Sequence, residues 1–393
     1  MRDNWQTARL GDLCTIKGRI GFRGYTRQDL VEKGEGAITL SPSNIVDDKL
    51  NLDKCQYISW FKYDESPEIM IFEGDIIYAK TASIGKVALV KGLPEKATIN
   101  PQFVVFKNIK CNRSFLYYAV RSNSFKEQVS LITNGVAIPT VSQSNLEKLQ
   151  IKLPSDSEQR RIVDEMDLLS SIIDKKKVQL RELDTLAQSI FYEMFGNPVE
   201  NEKGWNEKKL GDVCVIERGG SPRPIDSFIT EDAGGVSWIK IGDATEGGMV
   251  INSTKQRITQ EGAKKSRFVH KGDFLLSNSM SFGKPYILGI DGCIHDGWLV
   301  IRDNNCTFNK IYLYYYLGCP QTYDAFKGMA VGGVVNNLNK DMVKGVKVAI
   351  PNMGLQESFA EKISSIELQK DTINRSITES QKLFDYTMDK YFG

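Results

Sequence analysis

The stretch "LGDLCTIKGR" (10–19) recurs 200 residues later as "LGDVCVIERG" (210–219). The match continues in "FEGDIIYAKTASIGKVALV" (72–90), which aligns with "HKGDFLLSNSMSFGKPYIL" (270–288). The offset drifts by a few residues between blocks, because loops tolerate insertions better than helices and strands do. Self-similarity at a nearly fixed period predicts a tandem duplication of one structural unit.

Length and composition agree with a duplicated globular protein. A chain of 393 residues is long enough for two or three domains, each with its own core. It contains no apolar run of 18 residues, and "MRDNWQTARL" (1–10) has no apolar signal-peptide core. These features predict a cytoplasmic protein without a membrane partner. The net charge is only +2, and positive charge is concentrated in the two repeated units. This distribution is compatible with two modest basic faces that bind DNA.

A long helix is predicted after the first unit. No proline or glycine occurs from 155 to 195, Ser157 offers a cap near the start, and Gly196 provides a stop. Apolar residues follow one another in strict steps of four and three, which is the 3.5-residue repeat of a coiled coil. The predicted seam residues are Ile162, Met166, Leu169, Ile173, Leu180 and Leu183.

A weaker copy of the same pattern closes the chain. Its predicted seam residues are Phe359, Ile363, Ile366, Ile373, Ile377 and Phe384. Because each helix follows an equivalent domain, a two-fold arrangement would pair the two helices in antiparallel orientation. Lys176 and Lys370 interrupt the two seams near the middle, where they either fix the register or extend their apolar stems towards water.

The repeated units have a mixed, mostly β pattern. Short runs such as "GDIIYAK" (74–80) and "QFVVFKN" (102–108) are rich in β-branched and aromatic residues and are bounded by turn formers. The segments "FLYYAVRSNSFKEQV" (115–129) and "IYLYYYLGCPQTYDAF" (311–326) favour helices, in which we expect the tyrosines to belong to the core.

No catalytic motif is found. The chain contains neither a phosphate-binding loop of the Gly-x-x-x-x-Gly-Lys-Ser/Thr type nor a methyltransferase motif of the Asn/Asp-Pro-Pro-aromatic type. His270 and His295 lack metal-ligand spacing, so no metal site is predicted. Because position 295 aligns with Asn100, an essential proton carrier at His295 is not expected. The pattern is typical of a binding protein.

Two units with "LGD" openings, each followed by a long helix, resemble the specificity (S) subunit of type I restriction–modification systems. The motifs "WIKIGD" (238–243), "QRITQEG" (256–262) and "SEQRRIV" (157–163) carry the resemblance together with their order. The resemblance implies two domains that each read half of a bipartite asymmetric DNA sequence, and helices that set the spacer and dock two methyltransferase (M) subunits. It further implies that the chain is not an enzyme and that restriction/translocase (R) subunits complete the complex. S-adenosylmethionine, ATP and Mg would bind those partner subunits.

The expected fold is α+β. Two tandem α/β target-recognition domains are separated by two long antiparallel coiled-coil helices with pseudo-two-fold symmetry. The expected segments are a first target-recognition domain (1–154), a central spacer helix (155–196), a second target-recognition domain (197–351) and a C-terminal spacer helix (352–393).

The DNA-reading residues are expected in polar loops at equivalent repeat positions. Arginine and amide side chains read base edges, whereas lysines and hydroxyls contact the backbone. The candidates in the first unit are Arg19, Arg23, Tyr25, Arg27, Lys80, Thr81, Ser83 and Lys86. Those in the second unit are Arg218, Ser221, Arg223, Asn278, Ser279, Ser281 and Lys284. The alternative interpretation is a coiled-coil scaffold or protein-interaction adapter without DNA specificity.

Overall fold

The computed structural model describes residues 5–133, 139–244, 248–278, 282–330 and 338–393. Internal contacts divide the chain into two units, Met1–Lys177 with Arg375–Gly393, and Val178–Asn374. Helices and strands are mixed in both units, which confirms the expected mixture of the two element types. Within the described ranges, no helix is long and apolar enough to cross a membrane.

The first unit is built on two sheets. The four-stranded sheet has the order Val87–Leu89, Ile76–Ala79, Phe103–Lys107 and Thr15–Gly18. The five-stranded sheet has the order Leu30–Val31, Gln56–Ser59, Gly36–Leu40, Ala97–Ile99 and Met70–Ile71. Two short ladders join Gln6–Arg9 to Gln150–Leu153 and Ile45–Val46 to Lys49–Leu50.

The second unit repeats this arrangement. Its first sheet has the order Val215–Arg218, Trp298–Arg302, Phe274–Ser277, Pro285–Leu288 and Val250–Ile251. Its second sheet has the order Ile229–Thr230, Gln256–Ile258, Val236–Ile239, Gly292–Ile294 and Arg267–Val269. A two-stranded ladder pairs Glu207–Lys209 with Lys347–Ala349. Strands that are equivalent in sequence therefore occupy equivalent places in the two sets of sheets.

One polar hairpin in each unit follows a buried strand. All four residues of Ile76–Ala79 are buried, as are those of Phe274–Ser277. Each strand pairs in antiparallel orientation with the next one along the chain. Gly85 and Gly283 adopt positive φ angles of 92° and 79° in the connecting turns, a conformation that favours glycine. The residue types of the turns can therefore differ while the strands keep their register.

Short helices flank the sheets. Those of the first unit are Leu10–Leu13, Trp60–Asp64, Arg113–Arg121, Asn123–Thr133 and Gln143–Lys148. Those of the second unit are Leu210–Val213, Gln260–Lys264, Lys310–Gly318, Pro320–Ala330 and Lys340–Gly345. We call Arg113–Arg121 the first tyrosine helix and Lys310–Gly318 the second tyrosine helix.

The two long helices each have 40 residues. The central helix is Asp156–Phe195, and the C-terminal helix is Met353–Phe392. The central helix is capped by Ser155, whose Oγ accepts a hydrogen bond from the amide of Glu158 at 3.4 Å. The predicted cap, Ser157, is wrong because the helix already begins at Asp156, which leaves position 157 inside the first turn. Gly196 follows the helix with a φ of 78°, as expected for a stop.

In the first unit, the start of the central helix packs against the end of the C-terminal helix. Ile162 and Met166 are fully buried in the same core cluster as Tyr391 and Phe384. Lys176 Nζ donates hydrogen bonds to Ser376 Oγ at 2.6 Å and to Ser380 Oγ at 2.8 Å. Arg161, further towards the N-terminus, bonds the Tyr391 hydroxyl instead. The contacting residues therefore run in opposite orders along the two segments.

In the second unit, the end of the central helix packs against the start of the C-terminal helix. The rings of Phe195 and Phe359 lie 5.3 Å apart, and Asp184 accepts from Lys370 Nζ at 2.7 Å. Lys370 also pairs with Glu367 at 2.9 Å. The two seam lysines thus bond the facing helix segment within their own units. All twelve predicted seam residues are buried or half-buried.

Candidate nucleic-acid interface

Arg19 is buried beneath the polar loops of the first unit. Its side chain is only 7% exposed, and Nε and Nη2 both donate to the Ile99 carbonyl at 3.3 Å. Nη2 also donates to Thr98 Oγ1, while Nη1 donates to the Arg23 carbonyl. Burial lowers the pKa of Arg19. This guanidinium joins the loop of Arg23 to strand Ala97–Ile99, so it supports the loop from the buried side.

The arginines after Arg19 lie nearer to solvent. The Arg23 side chain is about one-third exposed, and its Nη1 lies 3.5 Å from Glu68 Oε2. Arg27 is exposed at the start of a single 3₁₀ turn that Thr26 caps. The Tyr25 hydroxyl accepts a hydrogen bond from Thr39 Oγ1 at 3.2 Å, which anchors its ring near Arg19. Arg23 and Arg27 are therefore the accessible cations of this loop.

The hairpin turn of the first unit carries the other candidates. Lys80 is half-buried, and burial lowers its pKa. Thr81 forms an isolated bridge to Thr140, and their hydroxyls lie 3.3 Å apart. Ser83 donates its amide to the Thr81 carbonyl at 2.7 Å. Lys86 Nζ donates to the backbone carbonyls of the segment 42–45, so this lysine ties the turn to a neighbouring loop.

In the second unit, four predicted residues converge on Asp296. Ser221 Oγ donates to Asp296 Oδ1 at 2.6 Å, and Arg223 Nη2 lies 3.8 Å from Oδ2. Arg218 Nε and Asn278 Nδ2 donate to the Asp296 backbone carbonyl at 2.9 and 3.0 Å. The hydrogen bond from Ser221 is the main reason that the pKa of Asp296 is lowered. We call these five residues the Asp296 cluster.

Members of the Asp296 cluster differ sharply in accessibility. The Arg223 side chain is 82% exposed, whereas Asn278 is only 2% exposed. Asn278 donates its amide to the Gly297 carbonyl and accepts from the Leu338 amide, so it braces the loop. Its Oδ1 is buried without a hydrogen bond from any residue that the structure describes. Arg223 is thus an accessible base-reading candidate of the cluster, whereas Asn278 is buried within it.

The remaining second-unit candidates are Lys284, Ser279 and Ser281. Lys284 is exposed, and its amide donates to Ser277 Oγ at 2.9 Å. Ser279 and Ser281 lie outside the described residues.

Sequence reasoning missed the two residues at the centre of this site. Asp296 gathers the cluster, and beside it Nε2 of His295 accepts a hydrogen bond from the backbone amide of Ile241 at 3.1 Å. Burial lowers the pKa of His295, which favours its neutral form as a hydrogen-bond acceptor. The available signal was the divergence of "HDG" (295–297) from "NPQ" (100–102) within otherwise matched blocks.

The profile of the type I restriction modification DNA specificity domain matches residues 2–184 and 202–381. The chain belongs to this family. This chain is 22% identical over 383 residues to a protein named as the MjaX specificity subunit of a type I restriction enzyme from Methanocaldococcus jannaschii. That match covers 93% of this chain and 87% of the relative.

Solved structures have the same fold. One comes from a study of complex assembly and conformational transition of the type I R-M system, and it superposes with a TM-score of 0.57 at 20% identity. The match covers 99% of this chain and 98% of that one. The type I restriction-modification S subunit of M. genitalium gives a TM-score of 0.54 at 14% identity, with 99% and 96% covered. At these identities the likeness shows the fold alone.

Proposed function

We propose that the chain is the DNA-recognition subunit of a type I restriction–modification complex, in which each recognition domain reads one half of a bipartite asymmetric sequence. The observation that carries this proposal is that the two units keep equivalent strands but present different polar groups. Lys80 stands where the second unit has Asn278, and Pro101 stands where it has Asp296. Because base identity is read by specific donor and acceptor patterns, different side chains on one scaffold suit different half-sites.

The fifteen predicted loop residues form the proposed reading surfaces. Their burial separates the residues that contact DNA from those that support the loops. Arg23, Arg27, Arg218 and Arg223 are the accessible arginines for base edges or phosphates. Arg19 and Asn278 support them, because both are buried and hydrogen-bonded to the loops above. Asp296 holds the second reading loop in one conformation.

The long helices form the proposed spacer. We assign residues 1–154 and 197–351 to the target-recognition domains, and 155–196 and 352–393 to helices that pair as an antiparallel coiled coil with pseudo-two-fold symmetry. The opposite order of contacts in each unit supports this pairing. In the first unit, Arg161 contacts Tyr391 and Lys176 contacts Ser376. In the second unit, Asp184 contacts Lys370 and Phe195 contacts Phe359.

Exposed apolar side chains on the helices support the docking of two methyltransferase subunits. Leu168, Leu383 and Tyr386 are exposed in the first unit, and Leu186 and Leu368 are exposed in the second. Exposed apolar groups on otherwise polar helices are typical of protein contacts.

In this proposal the chain is not an enzyme. S-adenosylmethionine, ATP and Mg²⁺ bind to partner subunits, restriction/translocase subunits complete the complex, and its location is the cytoplasm.

A gel-shift titration with methyltransferase subunits and duplex DNA tests the proposal. We expect binding that weakens steeply with salt, because Lys and Arg release counterions from phosphates. Competition with random duplex should leave a specific fraction bound. Binding of the methyltransferase subunits without any salt-sensitive DNA binding would instead support the scaffold interpretation.

A further inference from the structure

Equivalent tyrosine pairs have different surroundings in the two units. Tyr117 and Tyr118 lie in the first tyrosine helix, and Tyr314 and Tyr315 take the same places in the second. The ring centroids are 5.2 Å apart in the first pair and 5.4 Å apart in the second. The two pairs therefore present similar aromatic surfaces.

The helices that carry these pairs are anchored alike. Gln159 Oε1 accepts from the Asn112 amide at 2.9 Å, and Gln356 Oε1 accepts from the Asn309 amide at 2.8 Å. Asn112 and Asn309 are the N-cap residues of the two tyrosine helices. Positions along the two helices can therefore be compared residue by residue.

In the first unit, Arg121 fills the space beside the tyrosines. Its guanidinium carbon lies 4.8 Å from the Tyr117 ring centre and 5.6 Å from the ring centres of Tyr118 and Phe384. Nε and Nη2 both donate to Asp48 Oδ2, at 3.1 and 2.8 Å. An arginine within an aromatic cage, with a carboxylate partner, occupies this site from inside the chain.

In the second unit, Gly318 stands where the first unit has Arg121, so this position contributes no side chain to the space beside the tyrosines. A cavity of about 300 Å³ is lined by Gly318, Tyr314, Tyr315 and Phe191. Phe191 and Tyr315 are stacked with their centroids 6.3 Å apart. Met249 also lines the cavity, next to strand Val250–Ile251. An aromatic surface that binds a guanidinium in one unit is thus accessible in the other.

Carboxylates are available in this cavity. Asp184 and Glu367 line it, and each uses one oxygen to accept from Lys370. The second oxygen of each carboxylate takes no part in these two ion pairs. Because Lys284 also lines the cavity, the four charges balance, so recognition depends on ring faces and directed hydrogen bonds more than on net charge.

We infer that the cavity beside Gly318 binds the guanidinium of an arginine that a protein partner presents. The arginine stacks on Tyr314 and Tyr315, as Arg121 does on the equivalent tyrosines of its own unit. It donates to Asp184 or Glu367, which take the part that Asp48 has for Arg121 but come from the two long helices. Assigning the partner to the methyltransferase subunit rests on the proposed function. The site itself does not.

Binding of a small probe tests the site directly. The full chain is titrated with N-acetyl-arginine-N-methylamide and, separately, with the uncharged citrulline analogue, and contacts are followed by saturation-transfer NMR. We expect the citrulline probe to bind about tenfold more weakly, because it lacks the charge that the ring faces attract. Equal binding of the two probes would overturn the inference.

Two variants at position 318 distinguish filling of the cavity from local backbone strain. Gly318→Arg should fill the cavity from within and abolish arginine-probe binding, whereas Gly318→Ala should keep it. A Cβ at position 318 lies 3.2 Å from Pro285 Cγ, so both variants share the same local strain. Retained probe binding by a folded Gly318→Arg chain would contradict the site.

The partner is tested with the assembled complex. We expect the methyltransferase subunit to bind the Gly318→Arg chain about tenfold more weakly than the Gly318→Ala chain, which corresponds to about 1.4 kcal/mol. Equal affinities would exclude the methyltransferase subunit as the source of the arginine. Failure of the wild-type complex to bind DNA would instead count against the proposed function, whatever the probe does.

Discussion

At the scale of single residues, arginines of the predicted reading loops have different physical roles. Arg19 and Arg223 both belong to the predicted reading loops, yet one is buried and the other is 82% exposed. Arg19 donates hydrogen bonds to the Ile99 carbonyl, whereas Arg223 forms an ion pair with Asp296 at 3.8 Å. An exposed pair of this kind contributes little to stability. The two arginines should therefore respond in opposite ways to truncation.

We predict that Arg19→Ala lowers the free energy of unfolding by about 1–3 kcal/mol, because buried carbonyl oxygens lose their donors. Arg223→Ala should leave unfolding nearly unchanged and weaken DNA binding by about 1–3 kcal/mol if it reads guanine. Urea denaturation and gel-shift titration of both variants provide the two measurements. A large loss of stability in Arg223→Ala would contradict this division of roles.

At the scale of elements, the two seam lysines make different kinds of contact. Lys176 bonds neutral hydroxyls of Ser376 and Ser380. Lys370 is only 12% exposed and bonds the carboxylates of Asp184 and Glu367. Burial by itself lowers the pKa of Lys370, but the two carboxylates together outweigh burial and raise the pKa, so the charged form is favoured. Loss of Lys370 therefore removes the cation between two carboxylates, whereas loss of Lys176 removes a donor from neutral hydroxyls.

We predict that Lys370→Met destabilises the chain more than Lys176→Met, by roughly 1–2 kcal/mol, because hydrogen bonds to charged groups are worth more than those to neutral ones. Both substitutions place the same apolar side chain on a seam, so each serves as the control for the other. Equal shifts of the urea midpoint would show that the charged contacts of Lys370 contribute nothing specific.

At the scale of the whole molecule, we expect the proposed spacer helices to act as a ruler, because their length sets the distance between the two half-sites. Asp184 faces Lys370 and the chain directions are opposite, so the peptide bond after Leu180 lies opposite the bond after Ile373. Seven residues inserted at both points add one heptad to each strand and keep the seam in register. The overlap then grows by about 10 Å, close to three base pairs.

We predict that the double-insertion complex methylates the same two half-sites with a spacer longer by about three base pairs. Methylation-sensitive sequencing of DNA treated with the complex measures the spacer. An insertion of three residues in one helix alone is the control, and it should disrupt packing because it breaks the heptad. A folded double insertion that methylates with the original spacer would refute the ruler.

The sequence alone determined the features that depend on local periodicity. The duplication follows from matched blocks. Steps of three and four place the residues from Ile162 to Leu183, and those from Phe359 to Phe384, on one face of their own helix, because helix geometry fixes which side chains share a face. The buried strands, such as Ile76–Ala79, follow from their apolar composition. Each of these patterns can be read within a short window of sequence.

Only the tertiary structure decided which polar residues meet. Asp296 lies 75 residues from Ser221 along the chain, and Arg19 lies 80 residues from Ile99. Such contacts depend on which strand ends and loops the sheets bring together, and no local pattern encodes that choice. The same holds for the cavity beside Gly318, because its walls come from two long helices, a hairpin strand and a tyrosine helix. Burial, which separates a supporting arginine from an exposed one, is likewise set by long-range packing.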